Sequence, residues 1–139
     1  MEKPLRILHL EDEPKEVKLA NFALFSQGII CESLQVKTQA EFASALEKGG
    51  IDLILADYAL PSFDGLSALR FVKEKYLEYL DIPFILLSGV PGEEIAIEAL
   101  KKGATDYVLK WSLSRLAPAV FRALREAEER RTRKQMVTS

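Results

Sequence analysis

Short apolar runs alternate along the chain with longer amphipathic segments. Residues 53–56 and 82–87 are apolar at nearly every position, which is typical of strands covered on both faces. Between the runs, apolar residues recur at helical spacing, as at Val17, Ala20 and Leu24. This alternation predicts an α/β fold, a doubly wound five-stranded parallel sheet with five helices in three layers, α/β/α. The predicted strands are residues 5–10, 29–36, 53–56, 82–87 and 107–109, and the more polar second one suits a sheet edge.

Caps and breakers predict where the helices begin. Proline fits the first turn of a helix, and a serine, threonine or aspartate side chain can accept a hydrogen bond from its first free amides. The last helix must hold Pro118 in its first turns, because a proline deeper inside would cost about 3 kcal/mol. The predicted starts, in chain order, are Pro14, Thr38, Asp64, Gly92, and Ser112 or Ser114.

The composition indicates a single globular domain. With 139 residues, 48% hydrophobic and 29% charged, the chain can bury a sizeable core. No apolar run approaches the roughly 18 residues that span a bilayer, and acidic residues follow the first apolar run too soon for a secretory signal. We therefore expect a cytoplasmic protein without membrane contact. The single cysteine, Cys31, sits in an apolar stretch and is predicted to be an inert core thiol.

Charge is distributed unevenly. From Arg115 onward there are seven basic and three acidic residues, whereas the preceding part is acidic. Because the acids of this tail alternate with its bases, a solvated helix is the favoured interpretation, and no direct nucleic-acid contact is predicted. We expect residues 1–124 to form the domain and residues 125–139 to form a charged helical extension. Within the extension, Glu126 is predicted to pair with Arg130, and Glu129 with Arg133, at the i, i+4 spacing of a helix. The part of the last helix that packs on the sheet is predicted to carry an apolar stripe of Leu113, Leu116, Val120, Phe121 and Leu124.

Polar side chains stand where four of the predicted strands end. In a doubly wound sheet, ligands bind outside the carboxyl ends of the strands. If the first and third strands are neighbours, the carboxylates of Glu11, Asp12 and Asp57 lie close together in one pocket. They then repel each other unless a cation lies among them. Hard oxygen ligands without histidine or cysteine favour Mg²⁺. The strand-end residues are Glu11 and Asp12, Asp57, Ser88, and Lys110.

This pattern resembles the receiver domain of two-component response regulators, over about residues 5–124. The resemblance implies a flavodoxin-like sheet of order 2-1-3-4-5. It also implies a Mg²⁺-dependent aspartyl phosphate, formed from the phosphohistidine of a histidine kinase or phosphotransfer domain, and a conformational readout. The matching positions are Glu11-Asp12, Asp57, Pro61, Asp64-Gly65, Ser88-Gly89, Gly103-Ala104, Tyr107 and Lys110.

The resemblance also assigns roles to residues. Asp57 is the implied phosphoacceptor, and Ser88 and Lys110 contact the phosphoryl oxygens. Tyr107 is the implied aromatic switch, which turns inward together with Ser88. The implied metal ligands are Glu11 (through water), Asp12, Asp57 and the backbone carbonyl of Ala59.

Two positions depart from the family pattern. Trp111 stands where the family usually has a proline, commonly after a cis bond, so the Lys110–Trp111 peptide is predicted to be trans or strained. Gly89 replaces a more common alanine and leaves space beside the phosphoryl group. His9 lies in an apolar strand and is predicted to be a satisfied core or rim histidine.

Two other functions remain open. An aspartate-nucleophile phosphatase of the haloacid-dehalogenase type needs a second aspartate two residues after the nucleophile, where this chain has Ala59. A pseudo-receiver would bind partners without phosphorylation. The complete set of acids and lysine favours a phosphoryl-accepting receiver over a pseudo-receiver. For the receiver itself, the extension 125–139 is predicted to lead into a downstream domain. A homodimer through the last helix and the fifth strand is a further prediction.

Overall fold

The computed structural model describes residues 3–79, 81–90 and 92–138, with side chains in the last helix up to Met136. The strands are β1 (Leu5–Leu10), β2 (Cys31–Val36), β3 (Leu53–Asp57), β4 (Phe84–Ser88) and β5 (Asp106–Leu109). The helices are α1 (Pro14–Phe25), α2 (Gln39–Lys48), α3 (Gly65–Lys75), α4 (Glu93–Lys101) and α5 (Leu116–Thr138). Two 3₁₀ segments, Leu77–Tyr79 and Lys110–Arg115, complete the described elements. No helix in this part of the chain is long and apolar enough to cross a bilayer.

The five strands form one parallel sheet in the order β2-β1-β3-β4-β5. This confirms the predicted fold class and strand order, with the more polar β2 at an edge. In the register, Leu10 pairs with Ala56, Asp57 with Leu87, and Ser88 with Leu109. The carboxyl ends of β1, β3, β4 and β5 therefore lie together at one edge of the sheet.

Strand side chains alternate between two apolar layers. Ile54 and Leu86 pack with α2, α3 and α4, whereas Leu55 and Ile85 pack with α1 and α5. Because both faces are covered, the central strands are apolar throughout, and each fully buried Leu or Ile contributes about 1.5 to 3 kcal/mol. The three-layer α/β/α arrangement is thus confirmed.

Two helix starts follow the predicted capping chemistry. The Thr38 hydroxyl accepts from the Glu41 amide at 3.1 Å, and the Glu41 carboxylate accepts from the Thr38 amide at 3.2 Å, forming a capping box. The Asp64 carboxylate accepts from the Ser67 amide at 2.8 Å and caps α3. Because Asp64 also closes the loop that follows Asp57, this cap helps to place the carboxyl end of β3.

The start of the last helix differs from the prediction. Ser112 and Ser114 both lie inside the 3₁₀ segment, and Ser112 has non-helical backbone angles there. The helix α5 begins at Leu116, so neither serine is its N-terminal cap. The expectation for Pro118 is confirmed, because it is the third residue of α5 and blocks no intrahelical hydrogen bond.

The buried side of α5 also differs from the predicted stripe. Leu116 and Val120 are fully buried as expected, but Phe121 is 54% exposed. Packing continues past Leu124 to Ala127, which is only 1% exposed. Small alanines escaped the sequence pattern because they carry little hydrophobicity, yet they allow the helix to lie close against its neighbours.

The loop that follows Asp57 is anchored to the core by the aromatic side chain of Phe63. The ring centroid of Phe63 lies 5.5 Å from that of Phe42 on α2 and 5.9 Å from that of Phe71 on α3, both in edge-on geometry. Such pairs contribute about 0.5 to 1.5 kcal/mol beyond area burial. The backbone between Asp57 and α3 is therefore anchored.

Gly65 is predicted to be the most sensitive glycine near this loop. A Cβ atom there would lie 2.2 Å from Leu86 Cδ2 and 2.9 Å from the backbone oxygen of Asp57. Leu86 can shift, but the backbone of β3 cannot, so Gly65→Ala should lower the free energy of unfolding by about 1 to 3 kcal/mol. Urea denaturation followed by circular dichroism measures this change.

Gly89→Ala is the matched control. Its Cβ would meet only Lys110 Cδ, at an ordinary 3.8 Å, so its stability should stay within about 0.5 kcal/mol of wild type. Equal stabilities for the two variants would show that the Gly65 contact is not tight.

Candidate functional site

Three side chains from separate strands meet at the carboxyl edge of the sheet. Glu11 follows β1, Asp57 ends β3, and Lys110 follows β5. The Lys110 ammonium donates to Glu11 Oε1 at 2.8 Å and to Asp57 Oδ2 at 3.0 Å. Both carboxylates are buried, at 1% and 6% exposure, and Lys110 is half-buried. The structure thus brings together three of the residues that the sequence singled out.

Asp12 completes an acidic cluster at this edge. One carboxylate oxygen from each of Glu11, Asp12 and Asp57 lies within 4.8 Å of the other two. Asp12 is exposed, so the cluster opens to solvent on its side. An all-carboxylate donor set with one open side fits a hard cation such as Mg²⁺, which retains several waters. The structure shows the Ala59 amide donating to Asp57 Oδ1 at 3.2 Å, while a metal-binding role for the Ala59 carbonyl stays a prediction.

The electrostatics of the pocket follow from its burial. Burial, together with the negative charge of Asp57, raises the pKa of Glu11 from 4.5 to about 7, against the hydrogen bond from Lys110. Burial alone would lower the pKa of Lys110, but its hydrogen bonds to Glu11 and Asp57 outweigh that effect and raise the pKa. Lys110 therefore stays charged and partly balances the acids.

Ser88 and Tyr107 share a different partner, the backbone of Val90. The buried Ser88 hydroxyl accepts from the Val90 amide at 3.0 Å and donates to the Val90 carbonyl at 3.2 Å. The Tyr107 hydroxyl donates to the same carbonyl at 3.0 Å. Within the described residues, no hydrogen bond joins Ser88 to Asp57 or Lys110. The loop after β4 thus links the two predicted switch residues to each other and leaves them apart from the acidic cluster.

His9 lies in the core, but the described part of the chain does not supply the hydrogen-bond partners that the sequence predicted. It is fully buried two residues before Glu11, and neither ring nitrogen has a hydrogen-bond partner among the described residues. The expectation of a satisfied histidine is therefore wrong. Burial first, and then the charge of Lys110, lowers the pKa of His9 to about 4, so the ring is neutral at pH 7. An apolar strand pattern could indicate this burial but not the missing partners.

The variant His9→Leu is expected to be more stable than wild type. Leucine fills a similar volume and removes two buried nitrogens that lack partners, a defect that costs about 1 to 3 kcal/mol. Urea denaturation at pH 7.5 should show a higher midpoint with an unchanged slope. Arg6→Leu, in the same strand but exposed, is the control and should not raise stability. A lower midpoint for His9→Leu would show that the ring nitrogens are satisfied in solution.

The two departures from the family pattern have simple structural outcomes. No described peptide bond is cis, so the Lys110–Trp111 bond is trans, as one of the two expectations had it. Trp111 is 59% exposed, and Gly89 leaves only Lys110 Cδ within 4 Å of a Cβ position. The loop that carries Lys110 is thus accommodated without the usual proline.

The fold and the site together define a class: a flavodoxin-like α/β domain with an acidic pocket at the switch point of its sheet. Residues 7–121 match the family model described as the response regulator receiver domain. The chain therefore belongs to the response regulator receiver domain family, a module of two-component signalling.

Individual relatives agree with this assignment. KdpE, a transcriptional regulatory protein of Staphylococcus aureus, is 33% identical over 105 residues, which cover 76% of this chain and 43% of KdpE. The Francisella response regulator 1452 receiver domain superposes with a TM-score of 0.73 at 25% identity, covering 89% of this chain and 98% of that one. The signal receiver domain of a Syntrophus aciditrophicus histidine kinase gives 0.71 at 28% identity, covering 87% and 90%. The chain thus spans less than half of KdpE and nearly all of the two isolated receiver domains.

Proposed function

We propose that Asp57 accepts a phosphoryl group from the phosphohistidine of a histidine kinase or phosphotransfer domain. A carboxylate oxygen of Asp57 forms a bond to phosphorus while the bond between phosphorus and the donor imidazole nitrogen breaks. Because the phosphorylated imidazole is protonated on its other nitrogen when the bond breaks, the products are an aspartyl phosphate and a neutral histidine on the donor. The observation that carries this proposal is the buried Asp57 carboxylate, held by the Lys110 ammonium at 3.0 Å inside an acidic cluster.

The acidic cluster supports a requirement for Mg²⁺. Glu11, Asp12 and Asp57 would hold the ion, Glu11 through water, together with the proposed Ala59 carbonyl. When bound, the ion neutralises the clustered negative charge that otherwise repels an anionic donor. The chain itself supplies Lys110, whose ammonium already contacts Asp57. After phosphorylation, this ammonium can donate to an oxygen of the phosphoryl group and stabilise its negative charge.

The Val90 contacts support a proposal for the readout. To reach a phosphoryl group on Asp57, the Ser88 hydroxyl must leave the Val90 backbone. That movement displaces the loop that contains Val90. Because the Val90 carbonyl also accepts from the Tyr107 hydroxyl, Tyr107 changes its position along with Ser88. Phosphorylation would then be read at the surface beside β5 and at the start of α5.

One experiment separates this function from its two alternatives. The protein is incubated with acetyl phosphate and Mg²⁺, and its mass and the released phosphate are followed over time. A receiver gains one stable phosphoryl adduct, and a phosphatase releases phosphate with turnover. A pseudo-receiver does neither. Position 59 is alanine and not the aspartate that a phosphatase needs, so the stable adduct is the expected outcome. In the same assay, EDTA should prevent formation of the adduct because it removes Mg²⁺.

Wider aspects of the function are also proposals. Because KdpE extends well beyond the matched region, we propose that residues 125–139 connect this receiver to a following domain. We also propose a homodimer through α5 and β5. That the chain itself contacts no nucleic acid and no membrane, acts in the cytoplasm and is not an enzyme stays a prediction. Size-exclusion chromatography coupled to light scattering, with and without beryllofluoride, tests the dimer.

A further inference from the structure

The last helix is longer than the sheet on which it packs. The helix α5 has 23 residues and is therefore about 34 Å long, whereas a six-residue strand covers roughly 20 Å. Its buried side includes Val120, Ala123 and Ala127, after which the residues become almost entirely polar. The segment from residue 128 onward therefore continues beyond the apolar contacts of the domain.

One acid on the domain meets this extension. Asp81 lies in the turn that leads into β4, at the end of the sheet opposite Asp57. The Lys134 ammonium donates to Asp81 Oδ2 at 2.7 Å, and Arg130 Nε lies 3.8 Å from Oδ1. Because Arg130 and Lys134 are four residues apart, they project from the same side of α5 and hold one carboxylate between them.

The two cations continue the buried side of the helix. Val120, Ala127 and Lys134 are spaced seven residues apart, and Ala123 and Arg130 are spaced likewise, so all five share one face. The core-facing side thus changes from apolar contacts to an ion-paired contact at Asp81. The sequence predicted a pair between Glu126 and Arg130, but in the structure Arg130 is directed to Asp81.

We propose that Asp81 docks the C-terminal extension onto the domain and thereby fixes the direction in which α5 leaves the receiver. Within the extension, intrahelical hydrogen bonds and local ion pairs such as Arg131 with Glu128 stabilise the helix itself, but such local contacts do not attach it to the domain. With the Asp81 contact, the extension is a rigid continuation of α5 on the side of β4. This docking contact does not depend on phosphorylation of Asp57, which lies at the other end of the sheet.

The electrostatics agree with such a contact. The hydrogen bond from Lys134, and then the charges of Lys134, Arg130 and Arg131, lower the pKa of Asp81 against the opposing effect of burial. Arg131 is engaged with Glu128 along the helix, so Arg130 and Lys134 provide the direct contacts. The Asp81 side chain is partly buried, at 31% exposure, so its carboxylate has less freedom to move away from Lys134 than a fully exposed one.

Hydrogen exchange on the full 139-residue chain tests the proposal. Asp81→Asn removes the charge and keeps the shape, so amides of residues 128–136 should exchange about two- to five-fold faster, as for loss of an exposed ion-pair network. Amides of α1 and of the sheet should not change. Raising the salt to 1 M should reduce the difference between wild type and variant, because it shortens the screening length to about 3 Å. Glu78→Gln, an exposed acid in the neighbouring 3₁₀ segment, is the matched control and should leave the extension unchanged.

A double-mutant cycle makes the test specific to this contact. Lys134→Gln alone should also speed exchange in residues 128–136, but in the Asp81→Asn background it should add much less than it does alone. Additive effects, no effect of Asp81→Asn, or an equal effect of Glu78→Gln would each overturn the proposal. Phosphoryl uptake is measured on every variant and should match wild type, so failure of the docking contact is distinguishable from failure of the proposed function.

Discussion

An Asp57→Asn protein is expected to take up neither a phosphoryl group nor beryllofluoride, whereas the wild type takes up both when Mg²⁺ is present. The amide of asparagine lacks the anionic oxygen that forms the bond to phosphorus or beryllium. The substitution also removes one carboxylate from the cluster of three and the negative charge that Lys110 contacts at this position. Uptake should therefore fall to background. Intact-protein mass spectrometry measures the adduct, and fluorine NMR measures bound beryllofluoride.

The control for this loss is Asp64→Asn. Asp64 lies in the same loop, but its carboxylate caps α3 by accepting from the Ser67 amide, and asparagine caps a helix about as well as aspartate. That variant should fold and be phosphorylated like wild type. If Asp57→Asn were still phosphorylated to the wild-type extent, or if wild type were modified equally in EDTA, the proposed site would be wrong.

The central part of the fold could be predicted because its physical causes are local in the sequence. The stretch from Leu53 to Asp57 is apolar and ends on an acid, and this predicted a buried strand that surfaces at a polar site. Ser88 and Lys110 were found in the same way, at the ends of later strands. The order of the strands is not a local property and came from the family resemblance instead.

Contacts between distant residues escaped the sequence for a physical reason. Asp81 and Lys134 are 53 positions apart, and each alone is an ordinary surface charge. Local spacing favoured Glu126 as the partner of Arg130, but the folded chain presents Asp81 closer to it. Only the packing of α5 across the sheet, which depends on small buried residues such as Ala127, brings these charges together.

The arrangement around Val90 was hidden for another reason. The family resemblance implied Ser88 and Tyr107 as switch residues, but their common partner is the backbone carbonyl of Val90, a group that every residue has. A side-chain pattern carries no signal for such a contact. The same holds for His9, whose neighbours in space leave its nitrogens without partners.

The aspartyl phosphate is expected to be long-lived, and Ala59→Asp is expected to shorten its lifetime. Ala59 is exposed, and its amide donates to Asp57 at 3.2 Å, so its side chain emerges beside the acceptor carboxylate where water can approach. Neither Ala59 nor the exposed Val90 can orient or deprotonate a water molecule. General base assistance typically contributes 10²-fold or more, so Ala59→Asp should speed hydrolysis by on the order of 10²-fold. Loss of the phosphoryl mass after removal of the donor measures the rate.

Two further substitutions at Ala59 distinguish water activation from a general disturbance of the loop. Ala59→Asn can orient water but cannot remove its proton, so its hydrolysis rate should lie between those of wild type and Ala59→Asp. Ala59→Val adds bulk without a polar group and should leave the phosphate as stable as in wild type, because the donating backbone amide is retained. If all three variants decayed at the wild-type rate, position 59 would not control access of water to the phosphoryl group. If the valine variant decayed as fast as the aspartate variant, the effect would come from the loop backbone, and the argument for a missing base at this position would fail.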